Sequence, residues 1–129
     1  MGTSIAEYFI DELVEWNRLI AFYNGEMGEF EHKLAEVIQR ITIPNIALEV
    51  ENEQDKLNAV AEKFNLLQVQ IQRQEAALRT DGTFIDNAMI NTETEKRQNE
   101  LRRNMQQTER EYVDIKYGCY NFLSGIFRK

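Results

Sequence analysis

The chain is poor in the residues that carry most recognisable chemistry: it holds one cysteine, one proline, one tryptophan and one histidine in 129 residues. A lone Cys119 forms no internal disulfide, so nothing asks for an oxidising compartment. No apolar run approaches the roughly 18 residues that span a bilayer. The first residues carry Glu7, Asp11, Glu12 and Glu15 where a secretion signal needs a basic stretch and an uninterrupted apolar one. A cytoplasmic location is the expectation. Also missing are a glycine-rich strand-to-helix loop, a phosphate-binding lysine loop and a serine-centred elbow. Together these absences point to a protein that is not an enzyme and needs no cofactor.

What is present suits a folded single domain spanning residues 1–129. Apolar residues make up 43% and charged residues 29%, unlike a disordered chain, in which low hydrophobicity accompanies high net charge. The net charge of -7 repels phosphate backbones and anionic membrane surfaces, so no nucleic-acid partner is expected. The charge is uneven. Residues 1–65 hold 5 Lys/Arg against 13 Asp/Glu, whereas residues 66–129 hold 10 against 9.

Apolar positions in the first segment run Phe9, Leu13, Trp16, Ile20, Tyr23, Met27, Phe30, Leu34, Val37 and Ile41, alternating four and three as in a coiled-coil seam. A turn at Gly25 or Gly28 would reset that phase, and it does not change, so one helix runs through both glycines. Ser4 followed by Glu7 offers a capping start, and Pro44 marks the stop, because the residue before a proline avoids the helical region. The second segment repeats the rhythm through Ile46, Val50, Glu53, Leu57, Val60, Phe64, Leu67, Ile71, Gln74 and Leu78. Thr80-Asp81-Gly82 is read as its left-handed end, and Thr83 with Asp86 as the next start. The third segment is in phase over Leu101, Met105, Thr108, Tyr112, Ile115, Cys119, Phe122 and Ile126. Carried backward, that phase lands on the polar Gln98, Thr94, Asn91 and Asn87.

The predicted architecture is therefore all-α: an up-down-up antiparallel three-helix bundle with helices near 4–41, 45–80 and 84–127, the third longer than the other two. Pairing residues across the turns sets Trp16 level with Ile71 and Thr92, and Ile46 level with Tyr117, so that residues after Gly118 overhang. On this reading two apolar surfaces stay uncovered. One lies on the first helix (Phe9, Ile10, Leu13, Trp16, Leu19, Phe22), the other on the end of the third (Tyr112, Tyr117, Tyr120, Leu123, Phe127). Exposed apolar area usually marks an interaction site, and symmetric self-association is its commonest cover. An antiparallel homodimer or homo-oligomer is expected, with a protein partner as the replacement for the self-contact. The bland alternative is a tail that bends at Gly118 and folds back within one chain.

A row of small residues, Ala21, Gly25, Gly28 and Ala35 around His32, is a candidate docking surface, the bland alternative being surface glycines carried at a tolerated cost. Each glycine costs about 1 kcal/mol relative to alanine in an exposed helix interior. Glu29 and His32 have the Glu-x-x-His spacing of di-iron bundles, but they fall on the outer face and the other ligands are missing, so no metal is expected. Cys119 sits on the seam and reads as a small buried hydrophobe. Glu53 reads as a register-setting polar layer, placed against Thr108. The tail from Tyr117 to Lys129 is aromatic but has few basic residues, and membrane contact is not expected of it. The best functional reading is a non-enzymatic helical protein of structural or adaptor role acting through association. Its alternative is a chaperone or carrier that sequesters an apolar segment of a cargo protein.

Overall fold

The computed structural model describes residues 4–127 and the side chains of residues 4–126. Three helices pack into an all-α bundle: α1 (Ile5–Arg40), α2 (Ile46–Ala77) and α3 (Thr92–Phe127), of 36, 32 and 36 residues. α1 begins where the Ser4 hydroxyl accepts from the Glu7 amide at 3.1 Å, and it continues without interruption through Gly25 and Gly28. It ends before Pro44, and Asn45 takes the left-handed conformation (φ 67°) that turns the chain into α2. The turn is short, so α2 runs antiparallel to α1.

The second connection differs from expectation. α2 stops at Ala77, and Arg79–Thr80 (β1) pairs antiparallel with Thr83–Phe84 (β2). Asp81 and Gly82 between them both have positive φ, 52° and 81°. That is the backbone of a tight primed turn, which an Asp-Gly pair favours because both central residues tolerate the left-handed region. Gly82 is left-handed as expected, but as the corner of a hairpin and not as a helix cap. The Arg79 guanidinium lies over the Phe84 ring, 4.7 Å from its centroid, which helps hold the two short strands. A 3-10 turn, Asn87–Met89, follows. Only then does α3 begin, its first turn capped by the Asn91 side chain, which accepts from the Thr94 amide at 2.8 Å. Residues 84–91, expected to be helical, are therefore the end of β2, a 3-10 turn and irregular chain on either side of that turn.

This connection moves α3 by about ten residues relative to α1 and α2, whose mutual level is as expected, with Tyr23 against Phe64. Gln74 lies level with Thr94 and Gln98, and Lys63 with Glu111. Tyr23 reaches Glu109, and Glu26 reaches Tyr112 and Lys116. Ile46 thus sits near the end of α3 and not beside Tyr117, while Trp16 falls between the levels of Arg102 and Glu109 and not at Thr92. The expected overhang is absent. α3 passes through Gly118 as unbroken helix, and Cys119 and Leu123 are buried in the core.

The core is one cluster that follows the heptad seams of all three helices, from Ala6, Ile10 and Leu13 to Cys119 and Leu123. At its middle each helix contributes one ring. Tyr23, Phe64 and Tyr112 meet with centroid separations of 4.9 to 6.0 Å, in the tilted and edge geometries that aromatic pairs favour.

Candidate interaction surface

The polar first half of the third seam does not leave α1 uncovered. Asn87 Oδ1 accepts from the Ile5 amide at 2.9 Å and so tethers the start of α1. Gln98 is fully buried, its Nε2 donating to the Phe9 carbonyl and to Glu12 Oε1, both at 3.1 Å. Gln74, also buried, donates to the Thr94 carbonyl at 3.0 Å and to Gln98 Oε1 at 3.1 Å. Arg97 donates to Gln74 Oε1, and Arg102 closes the network on Glu12 at 2.8 and 2.5 Å. All three helices are thereby linked through a buried polar layer whose members are mutually satisfied, which is the condition under which burying amides costs little.

The expected interface residues separate into two groups. Ile10, Leu13, Trp16, Tyr112 and Leu123 are buried within the chain, so they belong to the core and not to a free surface. Phe9 and Leu19 are half-buried and pack against that core. Three side chains remain open: Phe22 at 61% exposure, Tyr117 at 62% and Tyr120 at 60%. The side chain of Phe127 lies outside the described residues. The first five were misassigned because the expected level of α3 was wrong, which put polar residues where Arg102 to Tyr112 actually cover α1.

The open aromatics share one side of the bundle. On α1, Glu12 and Glu26 reach across to α3, and residues three further on, Glu15 and Glu29 with Phe22 between them, form the adjacent outward row. On α3, Arg102, Glu109 and Lys116 reach α1. Residues four further on, Gln106, Val113 and Tyr120, form the matching row, with Arg110 and Tyr117 one step beyond. Phe22, Val113, Tyr117 and Tyr120 therefore flank the α1–α3 seam on its solvent side, above the Tyr23–Tyr112 pair. Tyr8, also exposed, stands at the upper end of the α1 row. Sequence reading passed over Tyr8 and the cations Lys96, Arg103 and Arg110, although their seven-residue spacing was there to be seen.

The small-residue row is exposed along its length at Ala21, Gly25, Gly28, His32 and Ala35. A Cβ added at Gly25 or Gly28 meets nothing within 4 Å, so packing inside this chain does not require either glycine. His32 is 78% exposed and its Nε2 lies 3.3 Å from Glu36 Oε1, one turn on. Among the described residues no group of three or more His, Cys, Asp or Glu side chains is placed to hold a metal ion.

Cys119 is fully buried beside Glu53, and its thiol is pushed up to about 12 by burial first and by the Glu53 carboxylate second. Such a thiol is a poor nucleophile. Glu53 does not face Thr108, whose hydroxyl instead donates to the Asn104 carbonyl at 2.8 Å. The ten-residue change of level accounts for that substitution of partners. Along the outer junction of α2 and α3 runs a groove of 430 Å³, walled largely by Gln70, Arg73, Gln74, Arg97, Glu100 and Asn104.

No helix among the described residues is long and apolar enough to cross a membrane. No protein-family model, curated protein or solved structure matches the chain.

Proposed function

We propose that this chain is a non-enzymatic helical protein that works by association, in a structural or adaptor role, through the α1–α3 face. The observation that carries this reading is the set of four large apolar side chains on that one side, Phe22, Val113, Tyr117 and Tyr120, exposed between 41% and 62%. Scattered exposed apolar residues are ordinary, but a cluster of aromatics flanking one helix seam has the composition of an interface centre, where tyrosine and phenylalanine are enriched. Self-association is the simplest cover, since a second copy is always available and most soluble oligomers are symmetric.

The carrier alternative has less behind it. The α2–α3 groove has six amide or charged side chains among its walls and two apolar ones, Ala77 and Leu101, and no aromatic ring. An obligate dimer closed over the α1–α3 face would also leave no apolar cradle free.

Sedimentation equilibrium over a dilution series tests the proposal on the full chain and on a Tyr117→Ser/Tyr120→Ser variant, whose core is untouched. The expected result is a dimer for the wild type and a monomer for the variant at the same concentration. A wild-type monomer throughout the series would contradict it.

A further inference from the structure

We propose that the groove between α2 and α3 binds a small organic anion, a molecule bearing a carboxylate or phosphate group that Arg73 of α2 and Arg97 of α3 hold from the two walls. The proposal goes beyond association through the α1–α3 face and does not depend on it, because the groove lies on another side of the bundle. The relative level of the two helices builds the groove. Lys63 meets Glu111 across the junction, and steps of seven residues in opposite directions set Gln70 opposite Asn104 and Ala77 opposite Arg97. The small side chain of Ala77 leaves room beside that arginine, and the groove there has a volume of 430 Å³, within the range of small-molecule sites.

Arg97 is anchored from the core. Gln74 occupies a seam position of α2 and is only 2% exposed. Its Nε2 is committed to the interior, donating to the Thr94 carbonyl at 3.0 Å and to Gln98 Oε1 at 3.1 Å, which turns Oε1 towards Arg97. Arg97 Nε donates to that oxygen at 3.2 Å. An arginine fixed through Nε keeps its two terminal nitrogens for another acceptor, and that edge of a guanidinium takes a carboxylate or a phosphate in paired hydrogen bonds. The buried amide thus does what an apolar side chain in the same seam position could not: it positions a cation on the groove wall.

The charges on the groove walls are unmet. Arg73, Arg97 and Glu100, the one acid lining the groove, have no ion-pair partner among the described residues. At the other helix junctions cations close on acids of the neighbouring helix, as Arg102 does on Glu12 and Lys116 on Glu26, and Lys63 does so on Glu111 further along this same junction. Two cations against one acid make the groove locally positive in a chain of net charge -7. Remote acids do not cancel that charge, because at physiological salt screening acts over about 8 Å. Glu100 and the amides of Gln70 and Asn104 suit hydroxyl or amino groups on the same ligand, so the groove favours a small polar acid over an apolar one.

Titration of the isotope-labelled full chain followed by NMR tests this, with sodium acetate, inorganic phosphate and sodium chloride as probes at matched ionic strength. Acetate or phosphate is expected to shift the Nε–Hε signals of Arg73 and Arg97 along one saturating curve, and the tighter of the two identifies the oxyanion the groove takes. Arg73→Gln and Arg97→Gln are each expected to raise that Kd about tenfold, the order expected for a lost charge-assisted hydrogen bond. Ala77→Leu keeps both cations but fills the groove, and is expected to weaken binding as strongly. Circular dichroism checks that each variant keeps its helix content. Shifts that chloride reproduces, shifts that do not saturate, an equal response at Arg103 and Arg110, or wild-type binding by Ala77→Leu would each overturn the site. None of these results bears on association, which is read from the mass in solution.

Discussion

Tyr112 of α3 donates its hydroxyl to Glu26 Oε1 on α1 at 2.9 Å, from a ring that is fully buried between Tyr23 and Phe64. Lys116, one turn on, donates to the other Glu26 oxygen at 2.8 Å, so one carboxylate fixes the relative level of two helices. Tyr112→Phe removes the hydroxyl and keeps the ring, and is expected to cost about 1.5–3 kcal/mol, the range for losing a hydrogen bond to a charged group. Tyr112→Ala also empties the centre of the core and is expected to cost about 3–5 kcal/mol. Urea unfolding followed by circular dichroism measures both, and equal midpoints for Tyr112→Phe and wild type would show that the bond contributes nothing.

The Gln74–Gln98 pair behaves as a unit. Gln98→Leu removes the side-chain donor to the Phe9 carbonyl and one of the two acceptors of Gln74 Nε2, and is expected to destabilise the bundle by about 1–3 kcal/mol. Adding Gln74→Leu removes the N–H left with an unfilled hydrogen-bonding position and replaces it with apolar volume. The double variant should therefore be less destabilised than the sum of the singles by about 0.5 kcal/mol or more, as contacting residues are. Additive losses would mean that the two amides do not communicate.

Alkaline pH should weaken the fold from about pH 9 upward. Burial first, and then the Glu53 carboxylate, pushes the Cys119 thiol up to about 12 from its ordinary 9.0. Burial and the Glu109 hydrogen bond push Tyr23 up to about 12 from 10.0, and Tyr112 rises for the same reasons with Glu26 as the partner. The unfolded chain gives up these protons earlier than the folded one, so it binds fewer of them in this window and stability falls as pH rises. The stabilising contribution is complete below the unfolded values and lost through the folded ones. Thermal melts from pH 7 to 11 should show the decline, shallower in Cys119→Ala relative to that variant's own value at pH 7. A flat profile for both proteins would contradict the burial described.

Gly25 and Gly28 separate folding from association. Alanine at either position meets no neighbour in the chain and is expected to raise stability by about 0.5–1 kcal/mol, the ordinary helix-interior difference. The dimer proposed above runs along the Phe22 and Tyr117 rows, so these substitutions should leave its Kd within about threefold. A large loss of dimer with a gain in stability would show that the glycine row is itself a contact surface.

The helices were legible because the seam alternates four and three residues from Phe9 to Ile41 and again from Leu101 to Ile126, and only a continuous helix keeps that phase. Less legible was where α3 begins. Asp81-Gly82 carries a hairpin signal, but the strands beside it are two residues each, too short to show alternation. The polar seam residues Asn87, Asn91, Thr94 and Gln98 read as a gap in the apolar stripe. Each has a role that depends on a partner distant in the chain or on a cap: Asn87 on Ile5, Asn91 on Thr94, Gln98 on Phe9 and Glu12. Mistaking residues 84–91 for helix misplaced α3 along the other two helices and turned Leu13, Trp16 and Tyr112 into surface. Of the expected interface, Phe22, Tyr117 and Tyr120 stayed open because they lie off the seam, where the change of level does not bury them.

Hydroxyl-radical footprinting of the full chain across a concentration series tests the central claim most directly, because it reads the open side chains one by one. Association through the α1–α3 face predicts that Phe22, Tyr117 and Tyr120 are oxidised several-fold more slowly at high concentration, while Leu66 and Val69, exposed on α2, keep a constant rate. Rates at Phe22, Tyr117 and Tyr120 that do not change with concentration, or protection confined to α2, would contradict it.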